Sequence, residues 1–432
     1  MNKTDHITHV RYPYATTWDK HNYYVEFEVG NIQTSMANAI RRLIISEVKS
    51  VGFRTEPYES CQIKIIENDT PLHNQFVLHR LSMIPIHVAK PVNFDVDIDD
   101  YIFIIDVVND TNSIIDITTK DFKIKRISTN KFLPQEEVKQ FFPPDPITGD
   151  YILINRLRSK YFVPSKTLSQ EVVDEMGKVF TKKTEDVMKF YIEGKACISN
   201  GKENGHFCPT SCAAYINTVD NAKSKLALKN YIDKELENAK DNNITPMTTE
   251  QLTRRFELTE KARSFYTNNR DEPNVFTFKI ETVGVIPPLI IFHRAIDILK
   301  EKINNFISNL INENEEIITI NPSIQLNGGY DIIIKDEDDT LGNILQTHLC
   351  LLYADYIIPK AQRKLQFIGY KRPHPLENYI ILAIHGSNNE KITSLLSDVI
   401  KPGCQQIIKV LNKIQNELEG NTHFISELKR LN

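Results

Sequence analysis

The sequence predicts an α+β protein made of two related strand–helix units, with a β-rich segment inserted into the first. Three observations predict this. Short segments alternate in polarity and are followed by helical spacing; one long amphipathic seam runs from Leu289 to Leu310; and the stretch Ser35–Ile44 reappears in pattern at Thr340–Leu349.

Taken in order, Tyr23, Val25, Phe27 and Val29 alternate with Tyr24, Glu26 and Glu28, the pattern of a half-buried strand. After Gly30-Asn31, Met36, Ile40, Leu43 and Val48 recur with helical spacing. A strand is expected at Cys61, Ile63 and Ile65, then an Asn68-Asp69-Thr70-Pro71 turn capping a short helix through Phe76 and Leu78. Residues 91–189 read as short strands separated by breakers such as Pro143-Pro144-Asp145-Pro146, an inserted β-rich domain. Residues 217–272, rich in Lys, Glu and Asn, read as an exposed insertion, and strand alternation resumes at Phe276, Phe278 and Ile280.

Pro287-Pro288 sits where a helix should start. Leu289, Phe292, Ile296, Leu299, Ile303, Phe306 and Leu310 then alternate spacings of three and four, a seam suited to packing on another long helix. Polar residues from Asn312 to Glu316 end it, and 313–329 reads as a linker. The last part repeats the opening plan: a strand at Tyr330–Ile334, an acidic turn, a helix from about Thr340, and strands near Leu365–Phe367 and Tyr379–Ile384. A final helix carries Ile392, Leu396, Val399, Ile407, Leu411, Ile414 and Leu418, with Pro402-Gly403 expected to kink it.

The two repeated segments align without gaps. Each has a hydroxyl cap candidate (Ser35, Thr340), small residues around an Asn (Asn38, Asn343), then apolar helical spacing. A duplicated unit of this kind suggests a pseudo-two-fold dimer inside one chain, its long helices packing in the middle.

Asn38-Ala39-Ile40-Arg41-Arg42-Leu43-Ile44-Ile45-Ser46-Glu47-Val48 resembles the signature of the alpha-like family, as found in the third-largest subunit of eukaryotic RNA polymerase II and in its archaeal counterpart. Glu67-Asn68-Asp69-Thr70, His79-Arg80-Leu81-Ser82-Met83-Ile84-Pro85-Ile86, Gly201-Lys202-Glu203 with Cys208-Pro209-Thr210, and Glu281-Thr282-Val283-Gly284 extend the resemblance. Glu337-Asp338-Asp339-Thr340-Leu341-Gly342-Asn343 and Ile368-Gly369-Tyr370-Lys371-Arg372-Pro373-His374-Pro375-Leu376-Glu377 resemble the eleventh subunit and its archaeal counterpart. The chain departs from the pattern at Lys49, where a proline is usual, at Ser82 for a glycine, and at Asp339 for a histidine.

The resemblance implies two alpha-like, ferredoxin-like dimerisation units paired within one chain. The first would span 1–90 and 190–312, the inserted domain 91–189, and the second 330–432. It further implies a non-catalytic scaffold for a DNA-directed RNA polymerase, with the largest and second-largest subunits as partners and a small subunit of the tenth type beside them. Asn38, Arg41, Arg42, His79 and Arg80 would face a large subunit. Thr340, Leu341, Gly342, Asn343, Gly369, Tyr370, Lys371, Pro373, His374 and Pro375 form the second unit's motif. Fusion of the two subunits resembles an arrangement in some large cytoplasmic DNA viruses, which implies host cytoplasm and virion, or the nucleus for a cellular protein. Tethering would make pairing intramolecular, at an effective concentration of roughly millimolar for a short linker.

Composition fits an intracellular protein. Charged residues make up 25% and the net charge is −4, so direct sequence-specific nucleic-acid binding is not expected. Six scattered cysteines suit a reducing compartment. The segment Met1–Val10 does not read as a signal peptide, and no apolar run approaches the roughly 20 residues of a membrane span.

Asp95, Asp97 and Asp99 invite a metal-dependent enzyme as a rival reading, but alternation puts them on one face of a strand, most simply the solvated one. His206, Cys208 and Cys212 offer zinc ligands without an evident fourth. Some members of the resembled family bind zinc or an iron–sulfur cluster in the inserted module; residues 91–189 contain no cysteine. No nucleophile elbow or phosphate-cradling glycine loop is present among 15 glycines, so no catalytic residues and no cofactor are expected. A second rival is a reversible transcription adaptor that docks on a finished polymerase. Lys371-Arg372-Pro373-His374-Pro375 is a stiff connection that either joins two strands or presents Tyr370 and His374 to a partner.

Overall fold

The computed structural model describes residues 6–13, 23–88, 97–159, 171–173, 179–181, 188–241, 247–312, 314, 316–387 and 391–431. They divide into two compact units. One comprises Met1–Val48, Thr210–Thr282 and Pro287–Arg430; the other is mainly Lys49–Pro209 with Val283–Ile286.

The first unit contains both repeats. Its opening repeat has β1 (Ile7–Arg11), β2 (Tyr24–Gly30), α1 (Thr34–Ser46), β3 (Thr210–Asn217), α2 (Asn221–Asp241), α3 (Thr249–Thr259), β4 (Val275–Thr282) and α4 (Pro288–Ile311). The strands form an antiparallel sheet in the order β1-β2-β4-β3. Alternation works as the sequence suggests: Val25, Phe27 and Val29 are buried, and Phe27 lies opposite Phe278 with the rings stacked at 5.7 Å.

The second repeat has β5 (Ile318–Pro322), β6 (Tyr330–Lys335), α5 (Asp339–Leu349), β7 (Leu365–Lys371), β8 (Tyr379–Gly386), α6 (Lys401–Glu419) and α7 (Thr422–Leu431). Its sheet order is β5-β6-β8-β7, again antiparallel. Matching strands therefore occupy matching places in the two sheets, and α1 and α5 begin at the same position of the repeat, Thr34 and Asp339. Two α+β units of one topology within a chain are what the duplication implies.

Several local expectations change. Ser35 and Thr340 do not cap their helices: Gln33 and Asp338 are the N-caps, and only Asp338 supplies a side-chain acceptor, to the Thr340 N–H. The expected linker 313–329 contains β5, an edge strand whose Ile318 is buried; the Asn and Glu residues around it conceal the alternation. Residues 217–272 hold a helix pair, with α2 largely solvated and α3 burying Leu252 and Phe256. At Pro402 the helix does not break. A short lead, Ile392–Leu395, widens into a π turn at Leu396–Ile400 before α6, the adjustment that accommodates a residue lacking an N–H.

The other compact unit is wider than the expected 91–189. Strand Ile63–Asn68 pairs with Met188–Gly194, so segments on both sides of the expected boundary share one five-stranded sheet. Phe53, Phe103, Phe122, Phe142 and Phe190 build its core. The short helix Asn74–Ser82 is capped by His73 and buries Val77 and Leu81, leaving Phe76 exposed.

Candidate functional site

The repeats meet through four helices, and each helix of one touches its counterpart in the other: α1 packs on α5, and α4 on α6. That is the pattern an isologous, two-fold contact requires. The long helices run antiparallel, because His293 near the start of α4 reaches Glu419 at the end of α6 at 2.9 Å. Phe292, Ile296, Leu299, Ile303, Phe306 and Leu310 are buried on α4, as are Ile407, Leu411, Ile414 and Leu418 on α6. Fully burying each such side chain stabilises by about 1.5–3 kcal/mol. The α4 seam also serves its own sheet: the Phe292 ring stands edge-on to Phe27 at 4.8 Å.

Polar groups fix the register of this contact. His293 lies between Asp297 (3.2 Å) and Glu419; burial opposes its protonation, but the two carboxylates outweigh burial and hold the imidazole above its ordinary range. Asp297 is partly buried, yet its contacts with His293 and Lys300 hold it well below the usual carboxylate range. Lys302 on α4 pairs with Glu47, just past α1, and Glu337, just before α5, each at 3.1 Å. Burial works against the Lys302 ammonium, and the two carboxylates nevertheless raise it; burial pushes Glu337 up despite Lys302.

Arg42 crosses between the repeats. Its Nε donates to Thr340 Oγ1 at 2.9 Å and its Nη2 to Asp338 Oδ2 at 3.3 Å. One of the two arginines expected at a large-subunit surface thus also takes part in the internal pairing, its side chain remaining 38% exposed. Arg41 instead donates through Nε and Nη2 to Asn38 Oδ1, an arrangement at the half-buried surface of α1. Sequence reasoning missed Lys302, His293, Gln415 and Glu427, whose partners lie more than a hundred residues away in several cases; nothing local marks them.

The second unit's motif is an internal packing device. A side chain at Gly342 would meet the Tyr370 ring at 2.6 Å, so the glycine lets β7 approach α5, and the Tyr370 N–H donates to Gln346 Oε1. Leu341 and Thr340 are buried, and Asn343 accepts from Thr347. Gly369, Tyr370 and Lys371 lie at the end of β7, while Pro373, His374 and Pro375 form an exposed connection to β8, braced by Arg372 Nη2 on the Pro375 carbonyl.

In the other compact unit His79 is exposed, and Arg80 donates to the carbonyls of Ile154 and Leu153. The Arg80 guanidinium is thus committed to the backbone of its own unit. Asp95 lies outside the described residues. Asp97 precedes a 3-10 turn at Ile98–Asp100, so Asp97 and Asp99 do not alternate along a strand. Asp100 accepts from Ser128 Oγ and N, which lowers its carboxyl. His206 packs on Phe207, and Cys208 follows it; Cys212 lies on β3 in the first compact unit. Among the described residues no three His, Cys, Asp or Glu side chains gather as a metal would need. No described helix is long and apolar enough to cross a membrane.

Two sequence profiles match this chain. The RNA polymerase Rpb3/Rpb11 dimerisation domain matches residues 26–303, and a second profile of that description matches 330–417. The chain is similar to the DNA-directed RNA polymerase subunit Rpo3 of Picrophilus torridus, 22% identical over 66% of this chain and 96% of that one. It is similar to the DNA-directed RNA polymerases IV and V subunit 3B of Arabidopsis thaliana, 34% identical over 19% of this chain and 24% of that one. It is also similar to the probable DNA-directed RNA polymerase II subunit RPB11 of Plasmodium falciparum, 30% identical over 21% of this chain and 68% of that one. Matches to several relatives span only 24–35% of their length.

Proposed function

The chain belongs to the RNA polymerase Rpb3/Rpb11 dimerisation-domain family, and from that premise we propose that it is a structural subunit of a DNA-directed RNA polymerase. In this reading it supplies within one polypeptide the paired platform on which the two largest subunits assemble, at the place where its genome is transcribed. The observation that supports this best is the pairing of the repeats through α1–α5 and α4–α6, closed by Arg42 and Lys302. Two separate subunits lose several kcal/mol of translational and rotational freedom on pairing, a cost that tethering removes from each assembly event. The Asn38–Arg41 surface is our candidate for a large-subunit contact, and the wider compact unit for a small subunit of the tenth type. Catalysis and metal binding belong, in this reading, to the partners.

The test is co-expression with the two largest polymerase subunits of the same genome, followed by size-exclusion chromatography. Stoichiometric co-elution is expected, with Arg41→Glu lowering recovery of the second-largest subunit while leaving thermal stability unchanged. A wild-type chain that never co-elutes, or appears only substoichiometrically, would remove the core-subunit reading in favour of a reversible adaptor.

A further inference from the structure

The two repeats keep one register as far as their long helices. In the repeat alignment Phe27 corresponds to Ile332; Phe27 lies opposite Phe278, and Ile332 lies opposite Leu382. Counting on from these partners, Leu289 corresponds to Thr393, His293 to Ser397 and Asp297 to Lys401. Leu289 and His293 are the residues of α4 that α7 touches, through Glu427 and Phe424. Their counterparts Thr393 and Ser397 instead line a cavity of about 250 Å³, with Ile307, Leu310 and Ile311 from the end of α4 in the same lining. The cavity is the two-fold equivalent of the α7 dock, without a helix over it.

Connectivity explains the difference. After α6 the chain turns at Gly420 and lays the ten-residue α7 back over the contact. After α4 only six residues, 312–317, precede β5, whose Ile318 pairs with Ile334 in the second sheet. Six residues make at most about 9 Å of helix, and these must also carry the chain to an edge strand. Ile311 is therefore left 59% exposed, whereas Phe424 at the covered dock is 3% exposed.

We propose that this groove docks an amphipathic helix of a partner polypeptide, one that places an apolar ring where α7 places Phe424 and a carboxylate beside Lys401. The related dock shows the class of occupant, since there the same fold takes a helix laid in a groove by an aromatic anchor. The charge shows how this occupant differs from α7. Lys401 is exposed, is the one charged residue of the lining, and has no ion pair among the described residues. It stands where the first repeat has Asp297. The sequence of α7 carries Lys429 and Arg430, so the α7 of a second copy brings like charge to Lys401, whereas an acidic helix is attracted. The polymerase reading supplies only the source of the helix, a neighbouring subunit; the groove belongs to the chain alone.

The test titrates the full chain with a peptide of residues 420–432, held helical by a lactam bridge on its solvent face, and follows isoleucine methyl groups by NMR. A second peptide carries Lys429→Glu and Arg430→Glu. Shifts should concentrate at Ile307, Ile311 and Ile400, and the acidic peptide should bind about threefold more tightly than the unaltered one, as one exposed ion pair allows. Lys401→Glu, at an exposed position, should invert that order, and Phe424→Ala in the acidic peptide should weaken it about tenfold. No binding of either helix at millimolar concentration, shifts confined to the neighbourhood of α7, or equal affinities that ignore Lys401→Glu would each overturn the proposal. Concentration-dependent doubling of mass that shields Ile311 would assign the groove to a second copy and overturn it too. Because no polymerase subunit enters the titration, its failure leaves the assembly reading to the co-elution test.

Discussion

The two ends of the α4–α6 pair are built differently. At the end where α4 starts and α6 finishes, α7 folds over the contact. Phe424 is buried and stacks on His293 with ring centroids at 5.3 Å, and Glu427 accepts from Tyr12 Oη at 2.7 Å and from the Leu289 N–H at 3.1 Å. At the opposite end Ile307, Leu310, Ile311, Leu396 and Ile400 line a cavity of about 250 Å³, and Ile311 stands 59% exposed. Polar contacts therefore count more at one end than at the other. Under α7 the carboxylate of Glu427 meets a helix start with water largely removed, so its hydrogen bonds are worth more than solvated ones. At the open end apolar atoms are already in water, and little is lost by trimming them.

The largest effect should come from Phe424→Ala, which removes the cover and costs about 3–5 kcal/mol in denaturant unfolding. Glu427→Gln keeps the shape but weakens two charge-assisted hydrogen bonds, an expected loss of about 1–3 kcal/mol. A smaller, pH-dependent effect belongs to His293. Its folded-state proton affinity is raised, so its stabilising share is present in full below the ordinary imidazole value, about 6.5, and disappears as pH rises through the higher folded value. Asp297 has the opposite sign, its share being present above the ordinary carboxylate range and lost in acid. Thermal melts from acid to alkaline pH should therefore show a decline above neutrality that His293→Gln abolishes. Ile311→Ala at the open end should change stability by no more than about 0.5 kcal/mol. A loss there as large as for Phe424→Ala would mean that the two ends do not differ as described.

Much of the fold was legible because it is encoded by local periodicity. The α4 seam, the alternation of β2 and β4, and the alignment of Ser35–Ile44 with Thr340–Leu349 all survive in the structure. The misses have a common cause, which is dependence on distant partners. β5 became visible only through its ladder with β6, and the wider compact unit only through the pairing of Ile63–Asn68 with Met188–Gly194. Arg42 looks like a surface residue until Thr340 and Asp338, nearly three hundred positions later, are brought to it. Caps at Gln33 and Asp338 were masked by better-looking hydroxyl residues two positions on. The glycine at 342 looked like part of a motif; its use, admitting the Tyr370 ring, is a matter of close approach that no spacing reveals.

The central claim is that the repeats pair with each other inside one chain. Light scattering coupled to size-exclusion chromatography, over a dilution series of the purified chain, tests it most directly. Internal pairing requires the mass of a single chain, 49.9 kDa, at every concentration. A species of twice that mass that falls apart on dilution would show the repeats pairing between chains, and would contradict it.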